Sequence, residues 1–258
     1  MNYNKQIDSR GVATITMNRP ELHNAFNDEM ITDLVKCFKE LALNDSVRLV
    51  VLTGTGKSFC AGADLNWMKK MKDYSFEENL LDAQKLAELF TVINKFKKPT
   101  IARVNGAALG GGAGLLACCD YVIAVDTALM GFTEVRLGLL PAVISPFVIA
   151  KIGESQARAT FMNGVRFNTN RAMMMGLVHQ ISSFDKLDED LEVIINDFLQ
   201  AAPMASCMAK ELIAEVVRKN TIEDARIYTC EMIAKVRTGS EGQEGMNALL
   251  EKRKASWL

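Results

Sequence analysis

Along the first half of the chain, apolar residues alternate between two spacings. Val12 to Met17 interleaves apolar residues with Thr, the period-two pattern of a strand with one buried face. The segment NRPELHNAF then breaks the pattern, with Pro20 as punctuation. Apolar positions from Glu29 to Ala42 recur at helical spacing, with Asn27 or Asp28 placed to cap that helix. Val47 to Thr53 (VRLVVLT) is a near-continuous β-branched and apolar run, which predicts a strand buried on both faces. Gly54 to Leu65 reads as a loop, and Phe76 to Phe96 carries Leu80, Leu81, Leu86, Leu89, Phe90 and Ile93 at helical spacing. Thr100 to Val104 is a further short strand. It leads into a glycine turn, Asn105 to Gly114 (NGAALGGGAG), and then LLACCDYVIAV, which opens as a helix and runs into a strand ending at Val125. Alternating strands and helices argue an α/β fold.

Beyond Pro141 the strand signal thins to Leu177 to Ile181. Helical patterns fill Ile144 to Ile152, Glu154 to Asn163, Lys186 to Ala201, Pro203 to Arg218, Thr221 to Arg237 and Glu241 to Lys254. The last three predict a helical segment, residues 203–258, following a core of residues 1–202. Their apolar faces exceed what a short appendage buries on itself, so packing against other copies of the chain is expected.

A chain of 258 residues can bury a sizeable core. Its 30 Lys and Arg against 31 Asp and Glu leave no basic footprint for nucleic acid. The six cysteines form no CxxC pair and have no His at ligand spacing, so neither a metal site nor a disulfide framework is expected. No stretch reaches the roughly 18 apolar residues of a membrane helix, and MNYNKQIDSRG lacks a signal-peptide core. The expectation is a soluble cytoplasmic protein with no metal and no nucleic-acid or membrane partner.

Candidate chemistry gathers at the glycine-rich turns. Gly110 to Gly112 at the start of a helix can leave main-chain N–H groups free for an anionic oxygen, or can simply make a tight turn. Gly54-Thr55-Gly56-Lys57-Ser58 imitates the end of a phosphate-binding loop, but Val51 stands where that motif needs its first glycine. Neither His23 nor His179, the only two histidines, is placed for a nucleophile triad, and no serine sits in a GxSxG elbow. A second small-residue loop, Ser58 to Met68 (SFCAGADLNWM), also follows a strand, and two such loops can converge on a crevice. A pair of N–H donors there would stabilise an enolate oxygen. The acid or base would be a nearby side chain. Glu134, in MGFTEVRLGLLP, is either a half-buried carboxyl with a raised pKa or an exposed turn residue paired with Arg136.

Three segments in order, SFCAGADL, KPTIARVNGAALGGGAGLLACCDYVIAV and MGFTEVRLGLLP, resemble the crotonase family of enoyl-CoA hydratases and isomerases, and the resemblance runs from NRPELHNAF to EGMNALLEKRKASW. It implies a spiral of strand-strand-helix turns followed by a helical trimerisation segment, in a homotrimer or dimer of trimers. It implies an acyl-CoA thioester substrate, with no cofactor beyond the CoA that the substrate carries. By the same resemblance, the N–H groups of Ala63 and Gly111 form the oxyanion hole and Glu134 is the catalytic carboxyl. Leu22, His23, Asn24, Ala25, Ala61, Asp64, Leu65 and Asn66 make the CoA wall, with Gly110 and Pro141 also at the substrate. Two-glutamate members carry a first glutamate where this chain has Gly114. ADLNWMKKM and EVRLGLLPAVISPFV look like the branch that hydrates 3-methylglutaconyl-CoA or related thioesters. The resemblance therefore implies hydration of a branched or glutaconyl thioester, with single-glutamate Δ3/Δ2 isomerisation and non-catalytic thioester binding as alternatives.

Overall fold

A computed structural model describes residues 2–258. Its strands and helices, in chain order, are β1 (Tyr3–Ile7), β2 (Val12–Met17), α1 (Asp28–Ala42), β3 (Leu49–Gly54), β4 (Ser58–Cys60), α2 (Leu65–Met71) and α3 (Phe76–Asn94). Next come β5 (Thr100–Val104), β6 (Ala107–Leu109), α4 (Gly111–Cys118), β7 (Tyr121–Val125), β8 (Leu129–Gly131) and α5 (Ser145–Phe161). The chain ends with β9 (Phe167–Asn168), α6 (Thr169–Met174), β10 (Gln180–Ser182), α7 (Leu187–Gln200), α8 (Pro203–Val217), α9 (Ile222–Thr238) and α10 (Ser240–Leu250).

Residues up to Phe96, with Thr100–Leu191, form one compact unit containing every strand. Two sheets organise it. The larger has the order β1-β2-β3-β5-β7-β10, parallel except for β1 on β2, and the smaller has the order β4-β6-β8-β9, parallel except for β9 on β8. Three times the chain makes a strand of the first sheet, a short strand of the second, and then a helix: β3-β4-α2, β5-β6-α4 and β7-β8-α5. This is the α/β spiral of strand-strand-helix turns that the resemblance implies. All six residues of β3 are buried, as its unbroken apolar run requires. The cap of α1 is Asn27, whose side chain accepts from the Met30 N–H.

One sequence expectation changes. The stretch expected as one loop, Gly54 to Leu65, contains β4, and α2 starts at its end. The two helices expected at Ile144 to Ile152 and Glu154 to Asn163 are both present, as the two halves of α5, separated at Gly153, whose φ of 75° and ψ of 161° are non-helical.

The second unit comprises Lys97–Pro99 and Glu192–Leu258. Within it, the Glu241 carboxylate accepts from the backbone N–H groups of Met204 and Ala205 at the start of α8, at 2.9 and 2.7 Å. Ile213, Val217, Ile222, Leu249 and Leu250 are exposed, and Met208, Leu212, Ile233 and Val236 line an apolar groove of about 420 Å³. Among the described residues, no helix is long and apolar enough to cross a membrane.

Candidate active site

The site begins where β4 and β6 end. The two strands are parallel neighbours, so the chain leaves both at the same edge of the small sheet. Beyond β4, Phe26 and Ala63 form an isolated parallel bridge, in which the Phe26 N–H donates to Gly62 O at 2.7 Å and the Asp64 N–H donates to Phe26 O at 2.8 Å. Successive peptide groups of an extended chain face opposite ways. The Ala63 N–H therefore points away from Phe26, and it has no acceptor among the described residues. Beyond β6, Gly111 opens α4, and its N–H is one of the donors that a helix leaves unpaired at its start.

Glycines let these two segments touch. A Cβ on Gly112 would stand 2.2 Å from the Cys60 carbonyl oxygen, and one on Gly62 would stand 3.0 Å from that of Leu109. No other residue fits at Gly112 without moving the backbone, and Gly62 also needs its positive φ of 96°.

Glu134 starts a 3-10 turn, Glu134–Leu137, just after β8. The Gly110 N–H donates to Gly131 O at 2.8 Å and ties that region to the start of α4. A Cβ on Gly110 would be 3.3 Å from Glu134 Oε1, so the carboxyl lies against the glycine that precedes Gly111. Its other oxygen, Oε2, is buried with no hydrogen-bond partner. Burial raises the Glu134 pKa above the ordinary carboxyl range, with the residue's own backbone N–H acting weakly the other way. Arg136, the partner in the exposed-turn reading, instead donates from Nε to Asn163 O at 3.2 Å. The half-buried reading is the one that the geometry supports.

These groups share a cavity of about 1020 Å³. Of the expected site residues, Ala61, Ala63, Leu65, Gly110, Gly111, Glu134 and Pro141 line it, whereas Leu22, His23, Asn24, Ala25, Asp64 and Asn66 do not. Asn24 and Asp64 have structural work. The Asn24 amide donates to Thr55 O and Ser58 O at 2.9 and 2.8 Å, and its oxygen accepts from the Arg19 N–H. Asp64 caps α2 and pairs with Arg19 at 2.6 Å. Burial works to raise its pKa, but the Arg19 guanidinium and the N–H groups of Asn66 and Trp67 outweigh it and hold the carboxylate below its ordinary range. His23 is exposed and its Nδ1 lies 2.9 Å from Ser58 Oγ. His179 makes a backbone contact to the larger sheet. Its Nδ1 accepts from the Val122 N–H at 2.9 Å, and burial lowers its pKa to about 4.

Gly114 is buried and does not line the cavity. A Cβ there would lie 2.4 Å from Ile144 Cγ2 and 3.2 Å from Phe90 Cε1. Ile144 thus fills the place that a longer side chain at position 114 would enter. Sequence reasoning also missed Trp67 and Asp82 in the cavity wall. The available signals were a Trp near the end of the small-residue stretch Ser58 to Met68 and an acidic residue among the apolar positions of α3.

Comparison with known proteins places this geometry among relatives. Residues 8–258 match the family described as enoyl-CoA hydratase/isomerase. An enoyl-CoA hydratase of Alternaria alternata is 34% identical over 255 residues, spanning 96% of this chain and 81% of its own. The solved enoyl-CoA hydratase of Shewanella pealeana superposes with a TM-score of 0.96 at 37% identity, over 100% of this chain and 96% of the other. That of Mycobacterium smegmatis gives 0.93 at 30% identity, over 100% and 99%.

Proposed function

We propose, given that the chain belongs to the enoyl-CoA hydratase/isomerase family, that it adds water across the double bond of a 2-enoyl-CoA thioester, with Glu134 as its single acid/base. The observation that carries this reading is the Glu134 carboxyl against Gly110, one oxygen buried and unpaired, in the cavity that Ala63 and Gly111 also line. In this reading the thioester oxygen accepts from both N–H groups. Glu134 takes a proton from water as the water oxygen bonds to the β-carbon, and the π electrons move toward the thioester oxygen as an enolate. The same carboxyl then returns the proton to the α-carbon and is regenerated. Donors aimed at the enolate oxygen act only as charge develops, which lowers the barrier rather than tightening ground-state binding. A carboxyl with a raised pKa is a better proton donor and acceptor near neutrality than an ordinary one.

The acyl group in this proposal is of the branched or glutaconyl type, supported by the likeness of ADLNWMKKM and of the Ala142-Val143-Ile144 run to that branch. Leu22 to Ala25 and the backbone from Ala61 to Asn66 would hold the CoA arm, leaving the cavity beyond the hole to the acyl group. The exposed apolar residues of α8 to α10 support a homotrimer or dimer of trimers. Light scattering that gives a monomer at micromolar concentration would refute the assembly. The cysteine usage supports a reducing, cytoplasmic compartment.

The test is turnover of 2-enoyl and 3-enoyl thioesters followed by mass spectrometry. Gain of one water from the 2-enoyl substrate is expected. A 3-enoyl substrate converted at constant mass, with no hydration, would replace this reading with isomerisation, which the carboxyl-free, Ile144-filled position at Gly114 favours.

A further inference from the structure

The cavity contains a second carboxyl that this hydration does not use. Asp82, on α3, lines the cavity with Trp67 of α2. Trp67 is 4% exposed, and its indole Nε1 is buried with no hydrogen-bond partner. The indole lies close enough to steady the ionised form of Asp82 without making a formed hydrogen bond. Burial raises the Asp82 pKa above its ordinary range. The Trp67 N–H and the Lys85 ammonium act against that, and the Asp28 carboxylate at the start of α1 adds to it.

The position of this pair suggests its use. Phe90, also on α3, lies within 3.6 Å of where a Gly111 side chain would begin, so it marks the level of the oxyanion hole. Asp82 precedes Phe90 by eight positions, about 12 Å along a helix rising about 1.5 Å per residue. That takes its backbone away from the reacting carbons. Trp67, in the first turn of α2, follows Ala63 by four residues and lines the same cavity. Of the residues assigned above to the CoA arm, Leu22 to Ala25 lie outside the cavity, and Ala61 to Ala63 with Leu65 border it beside the oxyanion hole, which leaves the wall beyond Leu65 to the acyl group. Against a hydrocarbon chain, the indole N–H would be sealed in without a formed hydrogen bond, and a buried donor left unmade costs its full desolvation penalty. An oxygen at the far end of the acyl group would satisfy it and give Asp82 a partner.

We propose that Trp67 and Asp82 form a recognition site for an oxygen-bearing terminus of the acyl group, a hydroxyl or carboxyl that accepts from the indole N–H and shares a proton with the aspartate. The inference rests on the enoyl-CoA reading above and narrows its substrate class to ω-oxygenated thioesters.

The experiment uses three 2-enoyl-CoA thioesters of equal chain length, ending in methyl, hydroxyl or carboxyl. The wild-type enzyme is expected to favour one oxygenated substrate over the methyl one by roughly 10- to 100-fold in kcat/KM, less than a fully buried polar site achieves because Asp82 is half exposed. The hydroxyl and carboxyl arms decide which oxygen is read. In Trp67→Phe and in Asp82→Leu, the ratio measured within each variant is expected to fall to about twofold. Asp82→Asn keeps the size and a hydrogen-bonding group, so it provides a folded comparison if Asp82→Leu does not fold. Equal use of all three substrates by the wild type overturns the proposal, as does a preference that survives both Trp67→Phe and the aspartate variants. Calorimetry with the three saturated thioesters separates the two readings. If the wild type turns over none of the enoyl substrates, hydration fails, while tighter binding of an oxygenated analogue still supports the site and equal binding overturns it.

Discussion

Replacing Gly114 by Glu would put a carboxyl at the position where two-glutamate relatives carry one, yet the single change is expected to damage the enzyme. The new Cβ would start 2.4 Å from Ile144 Cγ2 and 2.9 Å from Ile144 Cβ, with Phe90 Cε1 at 3.2 Å on another side. Phe90 is fully buried and does not line the cavity, and Ile144, 3% exposed, could make room only by turning into the cavity that it lines. Overpacking of this kind costs about 1–3 kcal/mol. At about 2–4 °C per kcal/mol for a domain of this size, Gly114→Glu should melt roughly 2–12 °C below the wild type. Ile144→Ala alone should cost about 2–5 kcal/mol through the cavity it leaves. Combined, the two changes fit each other, and the double variant should be more stable than the sum of the single losses predicts. It should also hydrate unsubstituted 2-enoyl thioesters faster than either single variant, because a positioned second acid/base is worth about 10²- to 10⁴-fold. Thermal melts and initial-rate hydration assays on all four proteins give the complete cycle. A Gly114→Glu variant as stable as the wild type, or strictly additive losses in the double variant, would refute the view that Ile144 occupies this place.

Glu134→Gln is expected to keep the fold and thioester binding, measured by calorimetry, while hydration falls by about 10²- to 10⁴-fold. Folding raises the Glu134 pKa, so its contribution to stability is complete below the ordinary carboxyl range and is lost as pH rises through the folded value. Glu134→Gln should therefore melt higher than the wild type at neutral pH, with the gap closing as pH falls into the carboxyl range; melts across that window check it. Asp64→Ala removes the cap of α2 and leaves the Arg19 guanidinium buried without its carboxylate. It should cost about 3–5 kcal/mol in denaturant titration. Gly112→Ala would drive a methyl group into the Cys60 carbonyl oxygen, and hydration should fall with stability, whereas loss of stability alone would show that the two donors do not depend on this contact.

How far the sequence reveals this molecule depends on the length of each element. β3 and α1 are legible because an unbroken apolar run and a capped amphipathic stretch each carry enough residues for a period to show. β4, β6 and β8 are three residues each, too short for alternation to register, so the whole smaller sheet is hidden in the sequence. β1 has no buried residue and exists through its register with β2, Tyr3 opposite Met17 to Ile7 opposite Ala13. In the site, the small-residue loops and Glu134 stand out as motifs with an order and a spacing. Ile144, Trp67 and Asp82 do not. Each matters because of a partner on another element, and nothing in a local window shows that Ile144 fills the space beside Gly114 or that an indole faces an aspartate.

The contact between the start of α4 and the end of β4 is made of main chain, while the walls around it are made of side chains. Substitution over evolutionary time can therefore act on the two unevenly. Any side chain at Gly112 would push the two segments apart, so that part tolerates little change. Residues of α2, α3 and the segment around Ile144 can be exchanged singly or in matched pairs without disturbing the donors. A new acyl preference can then arise without rebuilding the backbone that the proposed enolate stabilisation relies on. For an engineer, this divides the chain into a backbone cradle to leave alone and a replaceable lining to redesign.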